Sequence, residues 1–484
     1  MTASPVHWSV AETADRIRRG EVSAAEVSDA HLARIEARRH LNAFINVMPQ
    51  AARAAAAAVD AQRSRGEKPG SLAGVPVAIK DNILVADVPC TCGSRILRNW
   101  LPPYEATVTE RLRQAGAVIL GKTNCDEFAM GSSTENSAFG PSLNPHDPTR
   151  IPGGSSGGSA VAVADCQAVA ALGSDTGGSV RQPASHCGVV GLKPTYGAVS
   201  RWGLVAFASS LDQIGVLGRS VADARAVFEV IRGHDAHDST SLRSPAPRPI
   251  PERLTIGLPR EYFGEGLDDD VRAAIEQTAA HLAGQGHRLV DVSLPHSPYT
   301  IAAYYIICTA EASSNLARYD GVKYGHRTGN TDDLFTMYRR TRAEGFGNEI
   351  KRRILLGTYV LSAGYYEAYY GTAQKVRTRI AADFTRAFET VDCLLTPTSP
   401  TVAFRLGEKI DDPLAMYLSD VYTTSINLAG LPGVSVPCAK SADGLPIGAQ
   451  IIGRPFEEHV ILAVGELIEN LSRSADGKQG AWSL

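Results

Sequence analysis

The sequence predicts an α/β layered protein built on one large, partly parallel sheet. Two observations carry this. Short apolar runs bounded by glycine and proline recur along the chain, as in "GVPVAIKDN", "GVVGLKPTYG", "CLLTPTSP" and "LPGVSVPCA", and such runs suit buried strands. Helical patterns alternate with them, and that alternation builds layered α/β folds with partly parallel sheets. The 484 residues, 44% hydrophobic and 20% charged, have ordinary globular composition. That length permits two or three domains. A large α/β fold can also hold this much chain in one domain, with N-terminal helices over 1–70 and a mainly helical subregion over about 300–390; no repeat or low-complexity segment is seen.

The elements follow in order. Ser23 is placed to cap the helix "AAEVSDAHLARIEARR", and the alanine-rich "PQAARAAAAAVDAQRSRG" ends at a glycine stop. In "GVPVAIKDN", Val75, Val77 and Ile79 alternate with Pro76, Ala78 and Lys80. This predicts a short strand with Lys80 at its end, on the face of the small residues. "TVTERLRQAGAVILGKTN" reads as helix, glycine cap and buried strand. Two serine-glycine loops follow, each leading into a helix. Five prolines in "LRSPAPRPIPERLTIGLP" mark a crossing or linker. "LTIGLP", "DDDVRAAIEQTAAHLAGQG" and "HRLVDVSLP" then read as strand, helix, strand.

Composition narrows the function. A net charge of −3 gives no global field that draws the chain to nucleic acid. The run Lys351-Arg352-Arg353 reads first as a solvated face. The eight cysteines are scattered with no CxxC pair, so zinc and thioredoxin spacings are absent and a reducing, cytoplasmic setting is expected. "MTASPVHWSVAETADRIRRG" lacks the charged start and apolar core of a signal peptide. No apolar run reaches the roughly 18 residues of a membrane helix. "HDAHD" at 234–238 has metal-ligand residue types but sits in a turn and reads as a surface loop.

The informative stretches are "PGGSSGGSAVAVA" (152–164) and "GSDTGGSVRQPASHCG" (173–188). A phosphate-binding reading of the first fits the glycine spacing Gly153 to Gly158, but Ser159 stands where the lysine belongs. A nucleophile-elbow reading centred on Ser156 needs a preceding strand, and "NPHDPTRIP" is no strand. The third reading is a serine nucleophile among free backbone N–H groups. "TGGS" suits it, with the amides of Thr176, Gly177, Gly178 and Ser179 aimed at a developing oxyanion. One such loop alone is a tight turn. Two serines 24 residues apart, with a strand-end lysine, favour function.

A serine hydroxyl needs a base. His186 lies seven residues past Ser179, two helical turns away and out of reach. Lys80 remains. Its amine must be neutral to act, and burial beside small apolar residues and hydroxyls lowers a lysine pKa. Taken alone, Lys80 reads first as a charge snorkelling at a strand end.

The lysine of "VPVAIKDN", the first serine of "GGSSGGSA" and the last serine of "GSDTGGSVRQPA" together resemble the amidase signature family, over roughly 72–453. The resemblance implies the amidase signature fold, a large mixed twisted sheet flanked by helices on both faces, with residues 1–484 as a single domain. It implies Ser179 as the acyl-forming nucleophile, Ser155 as the bridging serine after a cis peptide bond, and Lys80 as the base. Four stretches, among them "DEFAMGSSTENSAFGPSLNPHDPTRIPGGSSGGSA" and "IKRRILLGTYVLSAGYYEAYYGTAQKVRT", are most similar to the glutamine-hydrolysing subunits of tRNA-dependent amidotransferases within that family. This implies glutamine as substrate, with Arg353 on its α-carboxylate, Asp420 on its α-amino group and Tyr304 lining the pocket. It implies no cofactor or metal in this chain. ATP and magnesium would serve a partner in a heterotrimer with subunits B and C, and misacylated tRNA would be met mostly through that partner. Ser185 and His186 depart from the small or apolar residues of the family pattern, and the tail "SRSADGKQGAWSL" does not resemble the usual ending. A stand-alone amidase for small or aryl amides is the alternative; a non-catalytic scaffold is the reading the intact triad opposes.

Overall fold

The computed structural model describes residues 4–475, the last four as backbone only. The first three residues and most of the C-terminal tail lie outside the described residues.

Eleven strands form one sheet: β1 (Phe44–Val47), β2 (Pro76–Lys80), β3 (Val118–Thr123), β4 (Ala170–Asp175), β5 (Val190–Lys193), β6 (Gln213–Gly218), β7 (Thr255–Pro259), β8 (Arg288–Val292), β9 (Cys393–Pro397), β10 (Gly433–Lys440) and β11 (Pro446–Ile452). Their order is β1-β3-β2-β4-β6-β5-β10-β11-β9-β7-β8. Two parallel blocks, β3-β2-β4 and β9-β7-β8, are joined by antiparallel pairs. The expected mixed, partly parallel sheet is therefore present.

Alternation along the strands divides two cores. Val75, Val77 and Ile79 pack with Ile119 on one face. Ala78, Val118 and Leu120 pack on the other, against the N-terminal helices and the helix Gly157–Ala164. Lys80 shares the face of Ala78, as the sequence predicts. The Ser23 capping box forms, with Ser23 Oγ accepting from Glu26 N–H and the Glu26 carboxylate from Ser23 N–H. The helix Pro49–Ser64 stops before Gly66, at φ +75°. β7, the helix Asp269–Gly284 and β8 follow the predicted strand–helix–strand order, and four α-helices and a π-turn fill 300–387.

The two serine loops differ in setting. Residues 153–156 come out of irregular chain into the helix Gly157–Ala164. Residues 176–180 run from β4 into the helix Arg181–Cys187. Strand–turn–helix context thus belongs to Ser179, not to Ser156. The glycines of the first loop answer to close packing. A Cβ on Gly154 would sit 2.2 Å from Asp126 Oδ2, and one on Gly158 would sit 2.5 Å from the carbonyl oxygens of Ala43 and Asn124. Backbone cannot yield as a flexible side chain can. Gly158→Ala should therefore cost about 2–4 kcal/mol, read as a lower denaturant midpoint. An unchanged midpoint would show that this approach is not close.

Candidate active site

Lys80 ends β2 beside β4, and the parallel register pairs Ile79 with Leu172. That register brings the lysine alongside Gly173 and Ser174, at the carboxyl ends of parallel strands, where α/β sheets hold their sites. Lys80 is fully buried. Its Nζ lies 2.6 Å from Ser155 Oγ, 3.0 Å from Ser174 Oγ and 3.3 Å from the Ser174 carbonyl oxygen. Among the described residues no carboxylate touches it. Burial pulls the amine down to about 8, against the pull of Cys125 and of the carboxylates of Asp126, Asp175 and Asp212.

A second buried lysine makes the contrast. Lys122, on β3, sits 2.9 Å from Asp81 Oδ1, both side chains fully buried. Burial would lower it too, but the carboxylate in contact reverses the effect and lifts it above the ordinary lysine value. Lys122 is a charged structural ion pair. Lys80, among neutral hydroxyls, is lowered instead.

The loops that carry Ser155 and Ser179 are tied together by backbone. The Gly154–Ser155 peptide is cis, as the family resemblance implies. Ser155 accepts at its carbonyl from Asp126 N–H at 3.3 Å, and Ser156 N–H donates to the Ser179 carbonyl at 3.1 Å. Ser156 Oγ donates to the Ser174 carbonyl and accepts from Ser174 N–H, at 3.2 and 3.3 Å. Ser156 is thus a clasp between loop and strand. Gln182 Oε1 accepts from Gly154 N–H at 2.9 Å, and its amide donates to the Ser132 carbonyl. Ser179 is 8% exposed, and among the described residues its hydroxyl has no hydrogen-bond partner.

Asp175 shapes the Ser179 loop. Its carboxylate accepts from Gly178 N–H at 2.8 Å and Val180 N–H at 3.1 Å, the amides on either side of the serine. Arg181 Nε and Nη2 meet the same carboxylate at 3.0 and 2.9 Å, and Asn427 adds a third side-chain donor. Burial alone would raise this carboxyl; Arg181 holds it at about 2. One expectation is corrected here. Gly178 N–H is committed to Asp175, so it does not face an oxyanion. Among the described residues the N–H groups of Thr176, Gly177 and Ser179 have no acceptor. The Thr176 hydroxyl is fixed by Asp212 at 2.7 Å.

Of the three residues expected to hold substrate, Tyr304 and Asp420 lie against this loop. Tyr304 is buried, its ring 2.6 Å from where a Cβ on Gly177 would stand. Asp420 Oδ1 lies 3.3 Å from the same position on Gly178. Asp420 accepts from Ser132 through Oδ2, while Oδ1 is buried without a partner. Burial pushes its carboxyl up to about 7. Arg353, 3% exposed, is no solvated charge. Its Nε donates to Glu349 at 2.7 Å, and the rings of Tyr305, Tyr417 and Phe207 lie 5.3 to 5.7 Å from its guanidinium carbon. Its two terminal nitrogens have no partner among the described residues.

Other expectations resolve plainly. Ser185 and His186 find polar partners: Ser185 Oγ accepts from Gly448 N–H, and His186 Nε2 meets Ser399 Oγ at 3.2 Å. Burial holds the His186 ring down at about 3, so it is neutral. In "HDAHD", Asp235 accepts from Thr107 and Ser200 and braces a loop. Among the described residues no group of three or more His, Cys, Asp or Glu is placed to hold a metal, and no helix is long and apolar enough to cross a membrane.

A buried amine of lowered pKa, a hydroxyl against it and a serine hydroxyl on a glycine loop are the residue types that acyl transfer needs. The sequence profile of the family described as Amidase matches residues 26–462. The chain belongs to the amidase family. It is 57% identical over 471 residues to the A-subunit of the glutamyl-tRNA(Gln) amidotransferase of Carboxydothermus hydrogenoformans, covering 96% of this chain and 97% of that protein. It is 58% identical to the protein of the same name from Synechococcus sp. (strain RCC307), covering 94% and 95%. The crystal structure of the corresponding A-subunit from Thermotoga maritima superposes with a TM-score of 0.79 at 41% identity, over 97% of this chain and 96% of that one. A bacterial aryl acylamidase superposes at 0.84 with 26% identity, over 98% of each chain.

Sequence reasoning missed the supports of this amidase: Ser156, Ser174, Asp175, Arg181 and Gln182. Their signal was a charge of each sign beside a glycine-rich turn. The amine at about 8 fixes a pH dependence. About a tenth of chains hold it neutral at pH 7, so kcat/KM should rise about tenfold per unit between about 7 and 8 and then level. The unfolded chain keeps that proton to about 10.5, so burial costs stability below pH 8, a cost that fades between about 8 and 10.5. Lys80→Met should lose at least about a thousandfold in activity with a Tm at pH 7 no lower than the parent. An active Lys80→Met enzyme would remove Lys80 from the chemistry.

Proposed function

We propose that this amidase is the glutamine-hydrolysing subunit of a tRNA-dependent amidotransferase, and that its whole length serves as one catalytic domain. Neutral Lys80 takes the Ser155 proton, and Ser155 takes that of Ser179. Ser179 Oγ then bonds to the glutamine side-chain carbonyl carbon. The oxyanion is met by the N–H groups of Thr176, Gly177 and Ser179. As the C–N bond breaks, the relay returns the proton to the leaving nitrogen and ammonia departs. Water then cleaves the glutamyl ester by the same route.

The observation that carries the choice of substrate is one pair of opposite groups: the terminal nitrogens of Arg353, without a hydrogen-bond partner among the described residues, and the buried, orphaned Oδ1 of Asp420 beside Gly178. A guanidinium fork suits a carboxylate and an aspartate suits an ammonium, so the pair suits the α-groups of a free amino acid. Apolar amides would leave both unpaired. Tyr304 completes the wall against Gly177. The names carried by the relatives support the same reading. It implies partner subunits B and C in a heterotrimer, ATP and magnesium acting on the partner, tRNA-bound glutamate as final acceptor, and a cytoplasmic setting. All eight cysteines are buried thiols, in keeping with a reducing compartment. The stand-alone reading rests on the likeness to the aryl acylamidase, and a substrate panel separates the two.

In the assembled complex, Ser179→Ala should abolish ammonia release from glutamine. Asp420→Asn should raise KM for glutamine about a hundredfold, by loss of a charged contact, with kcat within a few fold, and should remove a second acid limb of kcat/KM near pH 7. Fast turnover of apolar amides with indifference to glutamine would contradict the reading.

A further inference from the structure

We infer that Ser174 is a positioning residue of the relay, its hydroxyl serving as the third acceptor for the Lys80 ammonium that forms when the proton is drawn from Ser155. This rests on the reading of Lys80 as the base and goes beyond the lysine and two serines that the family resemblance supplies. A neutral amine has two N–H groups and a lone pair; the ammonium has three N–H donors and no acceptor. Each donor needs a partner, because a buried charge left short of hydrogen bonds is costly. Three oxygens surround Nζ: Ser155 Oγ, the Ser174 carbonyl and Ser174 Oγ. Ser155 alone belongs to the relay. One residue, Ser174, supplies both of the others.

The geometry of Ser174 is fixed from three sides. β4 holds its backbone against β6, where Ser174 pairs with Ile214. Ser156 Oγ bonds both its N–H and its carbonyl. Asn82 Nδ2, two residues past Lys80, donates to Ser174 Oγ at 2.8 Å and orients the hydroxyl. Ser174 is itself buried, so water does not take its place. The charged or titratable groups that face Lys80 are Cys125 and Asp126 beyond β3, Asp175 at the end of β4 and Asp212 ahead of β6. None is in contact with Nζ, which leaves the Ser174 oxygens as the close stabilisers of the charge. They are set before the reaction and favour the state in which the proton has moved.

The test is the pH profile of Ser174 variants in the assembled enzyme. Losing one acceptor destabilises the ammonium. Ser174→Ala should therefore lower the plateau of kcat about ten- to a hundredfold and move the midpoint of the Lys80 limb about one unit toward acid. Ser174→Cys, near in volume but a weak acceptor, should show both changes. Ser174→Thr, which restores the hydroxyl, should return both toward the parent. A purely structural Ser174 would lower the plateau and leave the midpoint in place. A midpoint unmoved or moved to higher pH in folded Ser174→Ala and Ser174→Cys, as checked by thermal melting, overturns the inference. Lys80→Met separates the two failures: an active Lys80→Met enzyme sinks the base assignment itself, whereas an inactive one with unmoved Ser174 midpoints sinks only the role of Ser174.

Discussion

The protein depends on one amine kept out of water with no anion against it. Burial disfavours the charged form of any lysine, and a touching carboxylate undoes that. β2 and β3 run side by side and supply both outcomes. Lys122 meets Asp81 and stays charged; Lys80 meets hydroxyls and a carbonyl and is drawn down to about 8. The three carboxylates whose charge reaches Lys80 are engaged elsewhere: Asp175 by Arg181, Asp126 by the N–H groups of Thr134 and Asn136, and Asp212 by Thr176.

Much of the surrounding structure serves that arrangement. The serine of the first loop reaches Nζ only because the loop lies almost on the backbone of 124–134, which is why glycines flank it. The second loop presents Ser179 because a carboxylate from the end of β4 gathers the amides on both sides and an arginine from the next helix holds that carboxylate. A buried ion pair of this kind does little for net stability compared with apolar packing, and breaking one is costly. Here it sets the shape of a loop. Sheet register, glycine packing and the Asp175–Arg181 pair each determine where a hydroxyl stands.

A large share of this was legible in the chain. The alternation of "VPVAIK" gave the strand, its two faces and the position of Lys80. Proline and glycine marked the ends of β7, β9 and β10. The strands β1, β4, β6 and β11 were not read. β1 has only four residues, and β4 and β6 carry glycines within them, so periodicity is faint. β4 was also hidden because "GSDTGGS" reads as loop from its first glycine. Lys80, Ser155 and Ser179 came from residue types around glycine and from family likeness. Arg353 was ambiguous, since a basic run on a helix is usually solvated; only the fold shows it enclosed by three rings and Glu349. The engagement of Gly178 N–H by Asp175 was beyond the sequence, because it depends on which way one peptide faces.

The central claim concerns the charge on a single nitrogen, and that nitrogen can be observed directly. With lysine labelled by carbon-13 at Cε, the Lys80 signal, assigned by its loss in Lys80→Met, is followed against pH in the intact protein. The account expects a titration midpoint near 8, well below an exposed lysine. A Lys80 signal that stays in its ammonium position beyond pH 10 would contradict it.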